Sequence, residues 1–319
     1  MIVWVVGAGG LLGSGVVRSA REQGHRVLTS SHVPWMDPEG TVNAIRSDAQ
    51  ALRLAIARSQ EEEPRWGIVW AAGHATTPSS EQEIEKELRT FHMAVRAINE
   101  ELSEVPNGTF ALASSAGGVY AGSQHPPFSS GSAPKPLGSY GRLKLAQERA
   151  ARESLAESIR VLIARIANVY GPGQDLGKLQ GLVSRLALTS VTKEPLTMFV
   201  PLDTMRDYIT ADDAAARLLH WVSVDNSPLS IRVIASGEAT SLGYLISLIR
   251  DITRTATPIA YGQHASAAHQ SHDLRLSPDK DDQLESMTAT PLPAGIKDVY
   301  LDVLQRCANG TRRTSRTAP

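Results

Sequence analysis

The chain has 319 residues, with 32 Lys and Arg against 33 Asp and Glu, a net charge of −1 and 42% hydrophobic residues. That length allows one large core or a core with an appendage, and the balanced charge supplies no basic surface to attract nucleic acid. The one cysteine, Cys307, excludes an internal disulfide framework, no Cys/His cluster has metal-ligand spacing, and no apolar run reaches membrane-spanning length, so a metal-free, cytoplasmic protein with no membrane partner is expected.

Residues 2–6 are an apolar run that lacks a basic leader and runs straight into glycines, so they predict a buried strand rather than a signal peptide. Gly7-Ala-Gly-Gly10-Leu11-Leu12-Gly13 follows and opens a helical pattern over 11–22, the context in which backbone N–H groups at a helix start hold a pyrophosphate. Gly7, Gly10, Leu11, Leu12 and Gly13 are therefore candidate cofactor contacts, with a plain tight turn as the alternative. The second strand, 26–29, ends in Thr29-Ser30-Ser31-His32. An acid at that place in a dinucleotide fold binds the adenosine ribose and selects NAD. Here hydroxyls and an imidazole stand instead, so Ser30, Ser31 and His32 are candidates to hold a 2′-phosphate, and NADP is favoured over NAD although no arginine follows. Asp37 reads as an adenine contact or, more simply, as the cap of the helix that follows, and residues 49–58 have helical composition.

A third strand over 67–71 runs into Ala71-Ala72-Gly73, followed by a helix over 81–104, a strand over 109–113 and a Ser/Gly/Pro-rich irregular loop over 114–138. A helix over 140–158 and a strand over 160–164 complete an alternation that predicts an α/β fold with a doubly wound parallel sheet. Beyond about residue 171 the elements shorten, with helices over 179–188, 211–222 and 241–253. Residues 1–170 are thus expected to form a dinucleotide-binding domain and 171–309 mainly a smaller, interleaved substrate-binding domain, with a polar, basic tail over 310–319.

Tyr140 and Lys144 lie four apart in a predicted helix and so share a face. An ammonium beside a phenol favours the phenolate, which lets such a pair trade a proton with a substrate hydroxyl or ketone. The spacing alone is common on surface helices. Its weight comes from the glycine loop upstream and from the motifs around it.

Those motifs together resemble the extended short-chain dehydrogenase/reductase family, in its nucleotide-sugar epimerase, dehydratase and reductase group. They are Gly7, Gly10 and Gly13; Ala71-Ala72-Gly73; Ser114-Ser115-Ala-Gly-Gly-Val119-Tyr120; Pro136 with Tyr140 and Lys144; Arg165-Ile-Ala-Asn168-Val-Tyr170-Gly-Pro-Gly173; and Arg206-Asp207-Tyr208-Ile209. Six motifs in order extend the resemblance to about residue 307. It implies a Rossmann domain, NADP or NAD as cofactor, and Tyr140 as acid/base assisted by Lys144, which also binds the nicotinamide ribose. It further implies Asn168 and Arg206 as contacts to a nucleotide diphosphate, with Arg275 a weaker candidate that a surface salt bridge explains equally well. Asp213 is expected only to cap a helix. A homodimer through the helices over 81–104 and 140–158 is also implied, although Leu88, Phe91, Met93, Val95 and Ile98 serve a core equally well.

Three departures from the family pattern qualify this. The Ser or Thr expected three residues before Val119 is replaced by Ala116, so Ser115 is the candidate to stabilise charge on the substrate oxygen. The acidic pair of nucleotide-sugar dehydratases is replaced by Gly117 and Gly118, which disfavours dehydration. The helix over 81–104 lacks the group's usual asparagine near its start. Four readings stay open: NADPH-dependent reduction of a keto-sugar, NAD-dependent nucleotide-sugar 4-epimerisation, reduction of a non-sugar carbonyl, and a non-catalytic NAD(P)-binding scaffold or sensor.

Overall fold

The apolar run near the start becomes β1 (Ile2–Val6), and its side chains divide between two cores, Val3 and Val5 on one face and Ile2, Trp4 and Val6 on the other. Side chains alternate along a strand, so a strand apolar throughout must be covered on both faces. The computed structural model describes all residues except 31–32, 36, 77–78, 156–158, 178–180, 263–269 and 316–319, with backbone alone for 311–315. From β1 the chain passes through α1 (Leu11–Glu22) to β2 (Arg26–Thr29), through α2 (Pro38–Ala57) to β3 (Trp66–Trp70), and through α3 (Glu81–Leu102) to β4 (Gly108–Ser115). The one-turn α4 (Ala116–Val119) and then α5 (Ser139–Leu155) lead to β5 (Arg160–Ile166).

The second half continues with β6 (Asn168–Tyr170), α6 (Leu182–Thr192), β7 (Leu196–Met198), β8 (Met205–Thr210), α7 (Ala211–Val224) and β9 (Leu229–Ile234). It ends with β10 (Ala239–Ser241), α8 (Leu242–Thr253), β11 (Ile259–Tyr261), β12 (Asp273–Leu274), α9 (Asp282–Ser286) and α10 (Leu292–Ser315). The main sheet has the order β2-β1-β3-β4-β5-β9, with every pairing parallel. Val16 and Ala20 of α1 and Leu218 and Trp221 of α7 cover one face; Ile45 and Leu52 of α2, Phe91 and Ile98 of α3 and Leu155 of α5 cover the other. The doubly wound parallel sheet expected from the alternation is present.

β9 pairs with β5, Ile231 opposite Ile163, and closes the edge of the main sheet with residues that follow β6, α6, β7, β8 and α7 in the chain. A separate core gathers Leu186 of α6, Tyr208 of β8, Leu245 and Ile249 of α8 and Ile296 and Val303 of α10. A small sheet centres on β8, which pairs antiparallel with β10 and parallel with β6 and β12, while β7 and β11 pair separately.

Several elements run beyond their expected bounds, most of all α2 and, into the expected tail, α10. α2 begins at Pro38 because Thr41, Ile45, Ala49 and Leu52 are buried at helical spacing, and burial of that stripe carries the first turn past Gly40 and Asn43, which are weak helix formers. α10 continues to Ser315, into the expected tail, since a helix already nucleated on Ile296, Val299 and Val303 gains one hydrogen bond for each residue added. Of the apolar positions on α3, Phe91, Val95 and Ile98 are buried in the core, and Leu88 and Met93 are half-buried. No helix among the described residues is long and apolar enough to cross a membrane.

Candidate active site

β2 and β3 flank β1, and the loops leaving β1 and β3 part in opposite directions, opening a crevice at the carboxyl ends of the strands. Gly7 sits there at φ +88°, and a Cβ on it would lie 2.7 Å from the Ala72 nitrogen. A Cβ on Gly13 would lie 2.1 Å from the Gly7 carbonyl oxygen. Glycine is thus required at both positions, and the segment Ala71-Ala72-Gly73 lies directly against the turn. Gly10 caps α1 without a side chain, no acid occupies the first turn, and nothing lies within 4 Å of where a Cβ on Gly9 would be. The amides of Leu11, Leu12 and Gly13 begin a helix with no internal partners, which fits the pyrophosphate of a dinucleotide.

At the adenosine end, the Ser30 hydroxyl accepts from Trp4 Nε1 at 3.3 Å. Ser30 also hydrogen-bonds Asp48 of α2, whose carboxyl is raised by burial while this bond acts the other way. A carboxylate therefore stands beside Ser30 although none ends β2. It escapes sequence reading because Asp48 belongs to the following helix and looks there like any solvated charge. Ser31 and His32 lie outside the described residues. Asp37 occupies the N-cap position of α2, with its backbone oxygen rather than its carboxylate engaging the helix.

Tyr140 and Lys144 occupy the first turns of α5. The Lys144 ammonium lies 5.8 Å from the Tyr140 ring centroid, with its side chain almost wholly buried. It donates to the Ala113 carbonyl at 3.4 Å and to Gln147 Oε1 at 3.1 Å. A Cβ on Gly118 would be 3.2 Å from two carbons of the Tyr140 ring, and one on Gly141 would be 2.2 Å from the Gly118 oxygen, so α4 and α5 meet glycine to glycine beneath the tyrosine. Ser115 caps α4 and its Oγ accepts from the Gly118 N–H at 3.1 Å, keeping its own proton to donate. Ser115 and Tyr140 therefore flank the same glycine. Ala116 points the other way and is fully buried in the core, so a hydroxyl at 116 would face the interior.

Beneath this loop lies a buried ion pair. Arg165 of β5 donates to Glu148 of α5 through Nε at 3.1 Å and Nη2 at 2.7 Å, and through Nη1 to the Tyr120 hydroxyl at 2.8 Å. Ser114 donates to the same carboxylate at 2.5 Å, which commits it to the scaffold and leaves Ser115 toward the crevice. Burial opposes the charge on Arg165, but its bonds to Glu148 and Tyr120 outweigh this and raise its pKa.

The diphosphate candidates gather on the small sheet. Asn168, in β6, donates to the Asp207 backbone oxygen at 2.8 Å. Arg206, in β8, stands opposite Leu274 of β12, so Arg275 is one residue beyond the register partner of Arg206. Arg206 is buried, its pKa is pushed down by burial, and its guanidinium donates to the Met205 carbonyl at 2.8 Å. Arg275 is instead exposed and clasped by Asp273 at 2.9 Å, the surface salt bridge that competes with its ligand role. Asp207, the residue after Arg206, is fully buried. Burial pushes its carboxyl up to about 6, although it accepts from the Ser236 and Gly237 amides and the Ser236 hydroxyl. Asp213 accepts from the Thr290 amide at 2.9 Å, and Thr210 caps α7. Among the described residues, no group of His, Cys, Asp or Glu is placed to hold a metal.

Residues 3–231 match the NAD dependent epimerase/dehydratase family. A dTDP-L-rhamnose 4-epimerase of Burkholderia thailandensis is 35% identical over 111 residues, 34% of this chain and 31% of that relative, so the match spans about a third of the relative's length. The dTDP-4-dehydrorhamnose reductase of Escherichia coli is 25% identical over 276 residues, 82% of this chain and 83% of that one. Among solved structures, the UDP-glucose 4-epimerase of Thermotoga maritima with UDP-glucose superposes with a TM-score of 0.77 at 22% identity, covering 96% of this chain and all of that one, a likeness of fold.

Proposed function

The chain belongs to the NAD dependent epimerase/dehydratase family and is an NAD(P)-dependent enzyme of the extended short-chain dehydrogenase/reductase type, and on that premise we propose that it reduces a keto-sugar carried on a nucleoside diphosphate. The observation that carries the reading is the phenol of Tyr140 and the hydroxyl of Ser115 on either side of Gly118, with the Lys144 ammonium behind the phenol. When bound, the nicotinamide supplies the hydride. Tyr140 delivers a proton to the carbonyl oxygen, Ser115 donates a hydrogen bond to the same oxygen, and the Lys144 ammonium favours the anionic phenol left behind. The α1 amides hold the pyrophosphate of the cofactor, and Arg206 with Asn168 holds the diphosphate of the substrate. Arg275 joins them only by releasing Asp273.

NADPH as donor follows from the absence of an acid at the end of β2. The reductase among the relatives, aligned over most of both chains, agrees with that direction. A second reading is a 4-epimerase that retains NAD, and Asp48 beside Ser30 favours it, because a carboxylate there opposes a 2′-phosphate. Cofactor retention separates the two. The reductase consumes added NADPH in step with keto-sugar, whereas the epimerase purifies with bound NAD and shows no net NADPH turnover. In either case Tyr140→Phe is expected to lower kcat by roughly 10²–10⁴-fold, the usual contribution of a positioned proton donor. Parental turnover in that variant would end the catalytic reading and leave the sensor.

A further inference from the structure

Lys144 is a buried ammonium whose acceptors among the described residues, the Ala113 carbonyl and the Gln147 amide oxygen, are neutral. A buried charge is expensive without a counter-charge. No carboxylate lies within ion-pair distance of it among the described residues, but one stands a single side chain away. Glu87, on α3, accepts from Gln147 Nε2 through Oε1 at 3.3 Å. Through Oε2 it accepts from the backbone N–H groups of His74 at 2.8 Å and Ala75 at 2.7 Å, in the loop that follows β3. Gly73, at the base of that loop, shows how tightly the parts converge. A Cβ on it would lie 3.2 Å from Glu87 Oε1 and 3.9 Å from Lys144 Nζ.

α3 does not need Glu87 for its own start. Ser80 and Glu83 already form a complete capping box there, and Glu87 lies a turn further on. Its carboxylate instead joins three elements that are separate in sequence: the crevice loop after β3, α3 itself, and α5 with its lysine. We propose that Glu87 is a positioning residue, which holds the 73–75 loop and, through Gln147, the Lys144 ammonium in one fixed relation so that both meet the cofactor together. Hydrogen bonds to an ionised carboxylate are the stronger kind, and carboxylate-to-backbone bonds fix a loop without side-chain freedom. The helix that lacks the group's usual asparagine thus supplies a carboxylate to this junction. The inference rests on the role assigned to Lys144 under the proposed function.

A double-mutant cycle on cofactor binding tests it. The parent, Glu87→Ala, Lys144→Ala and the double variant are titrated with NADPH and with NAD by quenching of tryptophan fluorescence, with melting curves in parallel. Glu87→Ala is expected to raise the cofactor Kd by about tenfold, while in the Lys144→Ala background the same change moves it less than about twofold, because coupled residues are not additive. Glu87→Gln, which keeps an oxygen for the loop amides, is expected to fall between parent and Glu87→Ala, and it carries the test should the alanine variant not fold. A Kd unchanged in both Glu87 variants, or a Glu87→Ala effect equally large in both backgrounds, overturns the inference while the lysine's role stands. If Lys144→Ala itself binds both cofactors like the parent, the lysine's role falls, and the inference with it.

Discussion

Two buried arginines, Arg165 and Arg206, end differently. Arg165, under the Ser115 loop, has its guanidinium filled by both oxygens of Glu148 and by the Tyr120 hydroxyl. Arg206, on the small sheet, is equally buried, yet among the described residues it has no carboxylate in ion-pair range and donates to the neighbouring Met205 carbonyl. Their pKa shifts run in opposite directions, up for Arg165 and down for Arg206. A buried charge matched from within belongs to the scaffold. One left with spare donors is stabilised best by an anion from outside, which is why the proposed substrate carries its diphosphate to Arg206.

Removing the internal partner should produce the largest effect. Glu148→Ala strands Arg165 in the core and is expected to lower unfolding free energy by about 3–5 kcal/mol in denaturant titration, the usual result of breaking a buried pair. A loss below about 1 kcal/mol would place Arg165 with surface pairs. Next comes Asp207, the neighbour of Arg206, whose carboxyl is raised to about 6. With a raised folded pKa its contribution to stability is complete below the unfolded value near 4 and is lost as pH rises through 6. Asn lacks that loss, so the stability of Asp207→Asn relative to the parent should climb between pH 4 and pH 7, by up to about 3 kcal/mol. A flat difference across that window would mean the carboxyl ionises in the fold without penalty. Smallest in energy but sharpest in kind is Arg206→Met. Its melting temperature should hold or rise, while KM for the nucleotide sugar increases roughly 10–100-fold, about 1.4–2.8 kcal/mol. Melting that fell as far as in Glu148→Ala would erase the distinction between the two arginines.

The parts of this architecture legible in the sequence are those whose signal is local. Strands buried on both faces read as short apolar runs, and the β1 turn reads as glycines because the backbones at Gly7, Gly13 and Ala72 leave no room for a Cβ. The Tyr140 and Lys144 spacing is local as well. The pairing of β9 with β5 joins segments far apart in the chain, and nothing in residues 229–234 announces which edge they will close. Glu87, Glu148 and Asp48 each sit on helices among other charged residues, and only the tertiary packing separates a carboxylate aimed inward from one facing solvent. Arg275 shows the converse: it follows the register partner of Arg206, and its guanidinium is taken by Asp273.

The contact of Gly118 with Gly141 limits how this active site can be redesigned. A Cβ at 117 has room, since the nearest heavy atom to it would be Leu274 Cδ1 at 3.8 Å. At 118 a new Cβ would lie 3.2 Å from two carbons of the Tyr140 ring and 3.3 Å from Gly141 Cα, a contact that α5 relieves only by giving a few tenths of an ångström. Grafting a dehydratase's two acids onto this loop therefore presses the second of them against the ring of the tyrosine proposed as proton donor.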